Sequence, residues 1–269
     1  MSIVQPPKAA DICSLYRTQR KLDTSSIEDL AAGRILAIRI PNFYDPACAK
    51  IMSAKLLEKG TDQYANAAGV LKVNGIGIAF FETRNNPGLE SVYYEKAEGA
   101  MKDSRELFAP YPYPIDILMQ ATSEAWEMGA ELLDLGKGPM FSGLPRVVNG
   151  EILPHEDKLE RDLGYVPEGY ITQFAANVYL QVPEKGGELV LWSHSLDDDE
   201  YDILRGESYG ISPELLPPSS LKIKPEPGEL VLFMPRNLHA VAKTEGDYRI
   251  GISTFILYSG KKQPLKFWS

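Results

Sequence analysis

Histidine is scarce in this chain and cysteine scarcer, with three of one and two of the other in 269 residues. The cysteines, Cys13 and Cys48, fall in unrelated stretches, which excludes a disulfide framework or a thiolate metal site and fits a reducing, cytoplasmic setting. Positive charge is also short. A net charge of −9 and a pI near 5.0 leave no basic face for phosphates, so no nucleic-acid partner is expected. No apolar run approaches the ~20 residues of a membrane span, and Met1 to Pro7 lacks the basic and apolar blocks of an export signal. There is no low-complexity linker and no repeat at solenoid spacing. The expectation is one domain over 1–269, acting on a small molecule, with oligomeric state open.

What is present changes character near residue 144. Before it the pattern is helical, with strands between. A short helix is expected around Ile12 to Arg20 and another over Ile27 to Ala32, followed by a strand from Arg34 to Ile40. Asp45 and Pro46 read as the cap and first position of a helix over Ala47 to Glu58. Val73 to Thr83 reads as a strand carrying Gly75 and Gly77, which mark either a close approach by a ligand or backbone, or a bulge or tight packing point. Residues 89–108 read as a helix. The prolines at 110, 112 and 114 interrupt it, and Ile117 to Leu133 resumes helical spacing. After residue 144, short apolar runs between Gly, Pro and Asn predict a sandwich or barrel. The polar stretch from Asp197 to about Ser220 is too long for a turn and reads as an insertion, a lid or a surface excursion.

Leu153 to Lys158 is the chemical focus. In an extended segment residues two apart face one way, so His155 and Asp157 present an imidazole and a carboxylate to one point. His239, on a strand fed by the turn Pro225 to Glu229, is the candidate third ligand. Two histidines and one carboxylate leave half of an octahedral ion open, the donor set of non-haem Fe(II) oxygenases. Arg249 opens the last strong strand, ten residues after His239. The third histidine, His194, lies outside this pattern and reads as structural, or as a neighbour of the ligands, rather than as a ligand.

This set resembles the Fe(II)- and 2-oxoglutarate-dependent oxygenase superfamily, whose core carries a His-x-Asp pair, a distal His and an Arg about ten residues later. Gly186 to Leu189, Pro225 to Leu230 and Ile40 to Tyr44 are similar to further landmarks of that superfamily. The resemblance implies an all-β core with α additions: a double-stranded β-helix, or jelly roll, over 144–269, flanked by an N-terminal helical support region over 1–143. It implies His155, Asp157 and His239 as ligands of Fe(II), with 2-oxoglutarate and O2 as co-substrates. Arg249 would hold the far carboxylate of 2-oxoglutarate, with Asn177 and Tyr179 beside it. The implied reaction hydroxylates an unactivated C–H of a free small molecule, an amino acid derivative or natural-product intermediate, releasing succinate and CO2. Desaturation, cyclisation and demethylation begin with the same hydrogen abstraction.

Within the superfamily, Gly75 to Glu82 resembles carrier-independent halogenases and their hydroxylase relatives. That likeness implies Ile78, Ala79 and Phe80 at the substrate. Those halogenases have Gly or Ala where this chain keeps Asp157, which favours hydroxylation. The competing readings are a cupin-like metal enzyme without an oxo acid, and a non-enzymatic β-sandwich binding module.

Overall fold

In the computed structural model, which describes residues 15–64, 67–84 and 86–269, helices start where a side chain or a proline satisfies their first turn. Asp23 accepts from the Ser26 amide and opens α1 (Thr24–Ala31). Asp45 accepts from Ala47 and Cys48 at α2 (Pro46–Glu58), and Asn86 from Leu89 at α3 (Pro87–Phe108). Pro46, Pro87 and Pro114, the last opening α4 (Pro114–Ala125), lack an N–H at a position where it would find no helical partner. Two shorter helices follow, α5 (Leu159–Leu163) and α6 (Asp198–Arg205).

The strands of the first half are β1 (Tyr16–Thr18), β2 (Ala37–Ile40), β3 (Thr61–Tyr64), β4 (Ala67–Val73) and β5 (Ala130–Leu132). Those of the second are β6 (Leu144–Val148), β7 (Ile152–His155), β8 (Thr172–Gln181), β9 (Leu189–Leu191) and β10 (Leu221–Ile223). The chain closes with β11 (Leu230–Phe233), β12 (His239–Val241), β13 (Arg249–Tyr258) and β14 (Leu265–Trp268). They form two sheets. The larger runs β1-β2-β11-β8-β13-β6-β4-β3, with β14 and β5 attached beside β13; the smaller runs β10-β9-β12-β7. The inner faces meet in the jelly-roll arrangement expected, and α1 to α4 pack outside the larger sheet, where one apolar cluster extends from Leu22 to Trp268. Among the described residues no helix is long and apolar enough to cross a membrane.

Three local expectations need correction. Tyr16–Thr18 is a strand, parallel to β2, and the rest of the expected helix at Ile12 lies partly outside the described residues. The helix expected to reach Leu133 stops at Ala125: Trp126 is extended, Gly129 takes a positive φ of 74°, and β5 follows. The strand expected over Val73 to Thr83 ends at Val73, and Phe80–Thr83 is a 3-10 turn. Asn74 and Gly75, the latter at a φ of 70°, turn the chain out of the strand, and Gly77 keeps it out. Its φ is 61°, and a Cβ there would sit 2.5 Å from Cε1 of the buried Phe141 ring. Of the alternatives open in the sequence, this is a tight packing point. Gly77→Ala adds a clash and a left-handed strain together, so urea unfolding should show a loss of roughly 2–5 kcal/mol with an unchanged m value.

Residues 197–220 form a largely exposed segment over the smaller sheet. Strand alternation turns Val190 and Ala240 to the outer face of the smaller sheet, and Tyr201 and Ile211 bury themselves against that face with Trp192 and Leu238. The insertion packs on the back of the sheet through these side chains, with Ile211 donating its amide to the Pro154 carbonyl at 2.8 Å.

Candidate metal and carboxylate site

β7 and β12 are antiparallel neighbours in a register that sets His155 directly opposite His239. Their rings lie 4.1 Å apart between centroids. Asp157, just past the end of β7, is held by its amide donating to the Pro235 carbonyl at 2.9 Å. One ligand atom from each of His155, Asp157 and His239 falls within 4.8 Å of the others. Asp157 Oδ2 stands 3.4 Å from His239 Nε2 and 3.9 Å from His155 Nε2.

The backbone decides which ring nitrogens face that point. Nδ1 of His155 lies 2.8 Å from the Leu153 carbonyl, and Nδ1 of His239 lies 3.1 Å from that of Asn237. A carbonyl only accepts, so each Nδ1 carries a proton and each Nε2 is the nitrogen turned to the shared point. Burial, helped by the neighbouring His239, pushes His155 down to about 4, so it is a neutral donor at pH 7. Burial works against an ionised Asp157 but is outweighed by the His239 contact, both imidazoles and Arg146, and the carboxyl sits well below its usual range. Two imidazole nitrogens and one carboxylate oxygen converging on a point suit a divalent metal, and the donor set fits Fe(II).

Arg249 belongs to the same cavity, which is lined from the larger sheet by Asn177, Tyr179 and Arg249 and from the smaller by His155 and His239. The guanidinium is buried and donates to the Tyr179 hydroxyl at 2.8 Å, with its carbon 4.8 Å from the centre of that ring. Its Nε is buried with no hydrogen-bond partner. An orphaned buried donor is costly in the protein alone and is satisfied by a planar carboxylate against that edge. Asn177 and Tyr179 face the cavity because they are two apart on β8, as the alternation predicts.

The strand bearing Tyr179 is pinned from behind. Gly228 takes a φ of 84° in the Pro225 to Leu230 turn, where a Cβ would lie 2.2 Å from the Tyr44 carbonyl oxygen. This lets Glu229 follow into the core. There it accepts from Arg39 at 2.6 and 2.9 Å, while its carbonyl accepts from the Tyr179 amide.

Ile78, Ala79 and Phe80 are not among the residues lining the metal cavity. Phe80 is buried with its ring edge-on to Tyr93, Tyr94 and Trp268, and its amide donates to the Ser269 carbonyl. The three residues sit beyond the turn at Asn74 and Gly75, and the placement expected of a strand does not apply to them. His194 is exposed and away from the triad. Two residues at the site went unnoticed in the sequence. Tyr209, delivered by the insertion, lies 5.0 Å from His155 between ring centroids. Arg146 lines the cavity from β6, and its one signal is a charge in the middle of the otherwise uncharged Leu144–Val148.

Residues 170–269 match the family described as the carrier-protein-independent halogenase WelO5. The chain is 25% identical over 246 residues to L-gamma-glutamyl-L-propargylglycine hydroxylase of Streptantibioticus cattleyicolor, covering 89% of this chain and 88% of that protein. It is 34% identical over 131 residues, 46% of this chain and 53% of the other, to leucinostatins biosynthesis cluster protein S of Purpureocillium lilacinum. In fold it is similar to an N-substituted L-amino acid dioxygenase from Burkholderia ambifaria AMMD crystallised with alpha-KG, with a TM-score of 0.64 at 17% identity, covering 91% of this chain and 90% of that one. The hydroxylase likeness runs along nearly the whole chain, and the halogenase family spans the strands that carry His239 and Arg249. What a handful of spaced residues suggested therefore extends through the fold: the chain is similar to Fe(II)- and 2-oxoglutarate-dependent oxygenases along nearly its whole length, and it is a dioxygenase that uses Fe(II), 2-oxoglutarate and O2.

Proposed function

We propose that this dioxygenase hydroxylates an unactivated C–H of a free amino acid derivative, with His155, Asp157 and His239 holding Fe(II) and Arg249 holding the far carboxylate of 2-oxoglutarate. The observation that carries the assignment is one cavity containing both the convergent triad and the buried guanidinium whose Nε has no partner. Bound there, the iron with its co-substrates supplies the oxidising power to replace hydrogen by hydroxyl, with succinate and CO2 as co-products. The chain's own part is orientation and exclusion of water. The Leu153 and Asn237 carbonyls fix the two imidazoles, and Tyr179 and Glu229 fix Arg249 and its strand. Phe233, 5.1 Å from the His239 ring, and Tyr209 beside His155 shield the triad with aromatic surface. Asp157 supports hydroxylation over halogenation, because its carboxylate takes the position a halide ligand needs. The substrate class rests on the hydroxylase relative, whose named substrate is a γ-glutamyl amino acid.

Anaerobic protein given Fe(II) and 2-oxoglutarate should develop a weak visible charge-transfer band, and on admitting air should form succinate. Arg249→Ala should raise the 2-oxoglutarate Kd about 10- to 100-fold, the range expected for charge-assisted hydrogen bonds. Absence of the band and of succinate in the unaltered protein would overturn the reading; an unchanged Kd in Arg249→Ala would remove that residue's role.

A further inference from the structure

Arg146 acts on Asp157 through its charge alone. It has no hydrogen-bond or ion-pair partner among the described residues, whereas Arg249 on the adjacent strand is bonded to Tyr179. Its register makes this unusual. On one side it stands opposite Gly251 of β13, which offers no side chain; on the other it stands opposite Lys72 of β4. Lys72 has Glu82 at 3.4 Å. Like charges directly opposite in a sheet are destabilising, so this placement costs stability in the protein alone.

The cavity gives the placement a purpose. Asp157 is the one carboxylate side chain among the residues lining it, and Arg146 and Arg249 are the cations. Arg249 is committed to Tyr179, whereas the half-buried guanidinium of Arg146 is held by no hydrogen bond of its own. Its planar fork suits a group with two oxygens to share.

We propose that Arg146 binds a carboxylate of the substrate and is a specificity-determining residue of this enzyme. The assignment rests on the reading of the cavity as a 2-oxoglutarate and iron site. The substrate it selects is an amino acid derivative with its carboxylate free, held so that a carbon further along the molecule faces the metal. Val148, Ile152 and Val241 supply apolar wall for the rest of the molecule.

The test uses the anaerobic protein loaded with Fe(II) and 2-oxoglutarate, titrated calorimetrically with γ-glutamyl dipeptides and N-acetyl-L-amino acids and with their C-terminal carboxamides. Acids should bind and amides should bind at least about 10-fold more weakly, with Arg146→Gln weakening the acids about 10- to 100-fold and leaving the amides alone. The 2-oxoglutarate Kd and the visible band should be unchanged in Arg146→Gln, and Arg146→Lys should restore part of the acid affinity. A second readout separates a ligand-binding role from a structural one: in the ligand-free protein, removing a cation that faces Lys72 should leave Tm unchanged or raised. A lowered Tm, equal binding of acids and amides, or binding of neither overturns the proposal. A raised 2-oxoglutarate Kd in Arg146→Gln also overturns it and assigns the residue to the co-substrate's carboxylate instead. Failure of the band to form in the unaltered protein sinks the underlying function as well, and so is told apart from failure of this inference.

Discussion

Asp157→Gly should abolish succinate-coupled hydroxylation, lowering turnover by at least about a hundredfold, since groups that merely hydrogen-bond to metal ligands already contribute 10- to 100-fold. The same change should open a coordination position at the metal. Chloride added to the anaerobic Fe(II) and 2-oxoglutarate complex should then perturb the visible band of the variant and leave that of the unaltered protein as it was. Spectra insensitive to chloride in both would count against the idea that residue 157 chooses between halide and carboxylate. The comparison matters here because the matched halogenase family covers residues 170–269 and stops short of this position. Likeness to halogenases over β8 to β14 therefore carries no information on the ligand that separates the two chemistries. His239→Ala is the control: it removes an imidazole donor from the opposite strand and should lose the band outright, with chloride giving no new signal.

A second large effect is expected on stability. Alternation sends His155 and Asp157 into the cavity and Glu156 and Lys158 to the other side, where both are buried. Glu156 accepts from the Leu196 amide at 2.7 Å and stands 2.7 Å from Lys158 Nζ. Lys158 donates to Asp198 at 3.0 Å, and Arg161 joins the same carboxylate at 2.7 Å with its guanidinium over the Tyr201 ring. Removing one partner of a buried pair leaves an uncompensated charge, so Glu156→Ala should cost about 3 kcal/mol, the low end for such losses because Lys158 retains Asp198. Denaturant unfolding of the metal-free protein measures this, and hydrogen exchange should show α6 and β7 losing protection together. Glu156→Gln keeps the acceptor for Leu196 and should cost less. Full stability in Glu156→Ala would show that the cover is held by its apolar contacts alone.

The residues that the sequence made legible are those whose meaning is local. His155 and Asp157 declare themselves by alternation, Arg249 by its distance from His239, and the start of α2 by a cap beside a proline. Arg146 was illegible because a lone arginine in a strand carries no message until Gly251 and Lys72 are known to flank it. Phe80 misled for the opposite reason. Its neighbours suit a strand, but Gly77 needs a left-handed turn to clear Phe141, a constraint from a residue far along the chain. β3, β4 and β14 were missed, being short pieces whose hydrogen-bond partners lie in distant parts of the sequence.

The smaller sheet, covered on both faces, has a consequence for how such an enzyme can diversify. Leu189, His239 and Val241 look into the cavity, while Val190 and Ala240, the residues between them, look into the cover. Evolution can therefore retailor the pocket wall at Leu189 and Val241 while the contact on the reverse side keeps its own residues. New substrates become reachable by single steps that need no compensating change in the insertion.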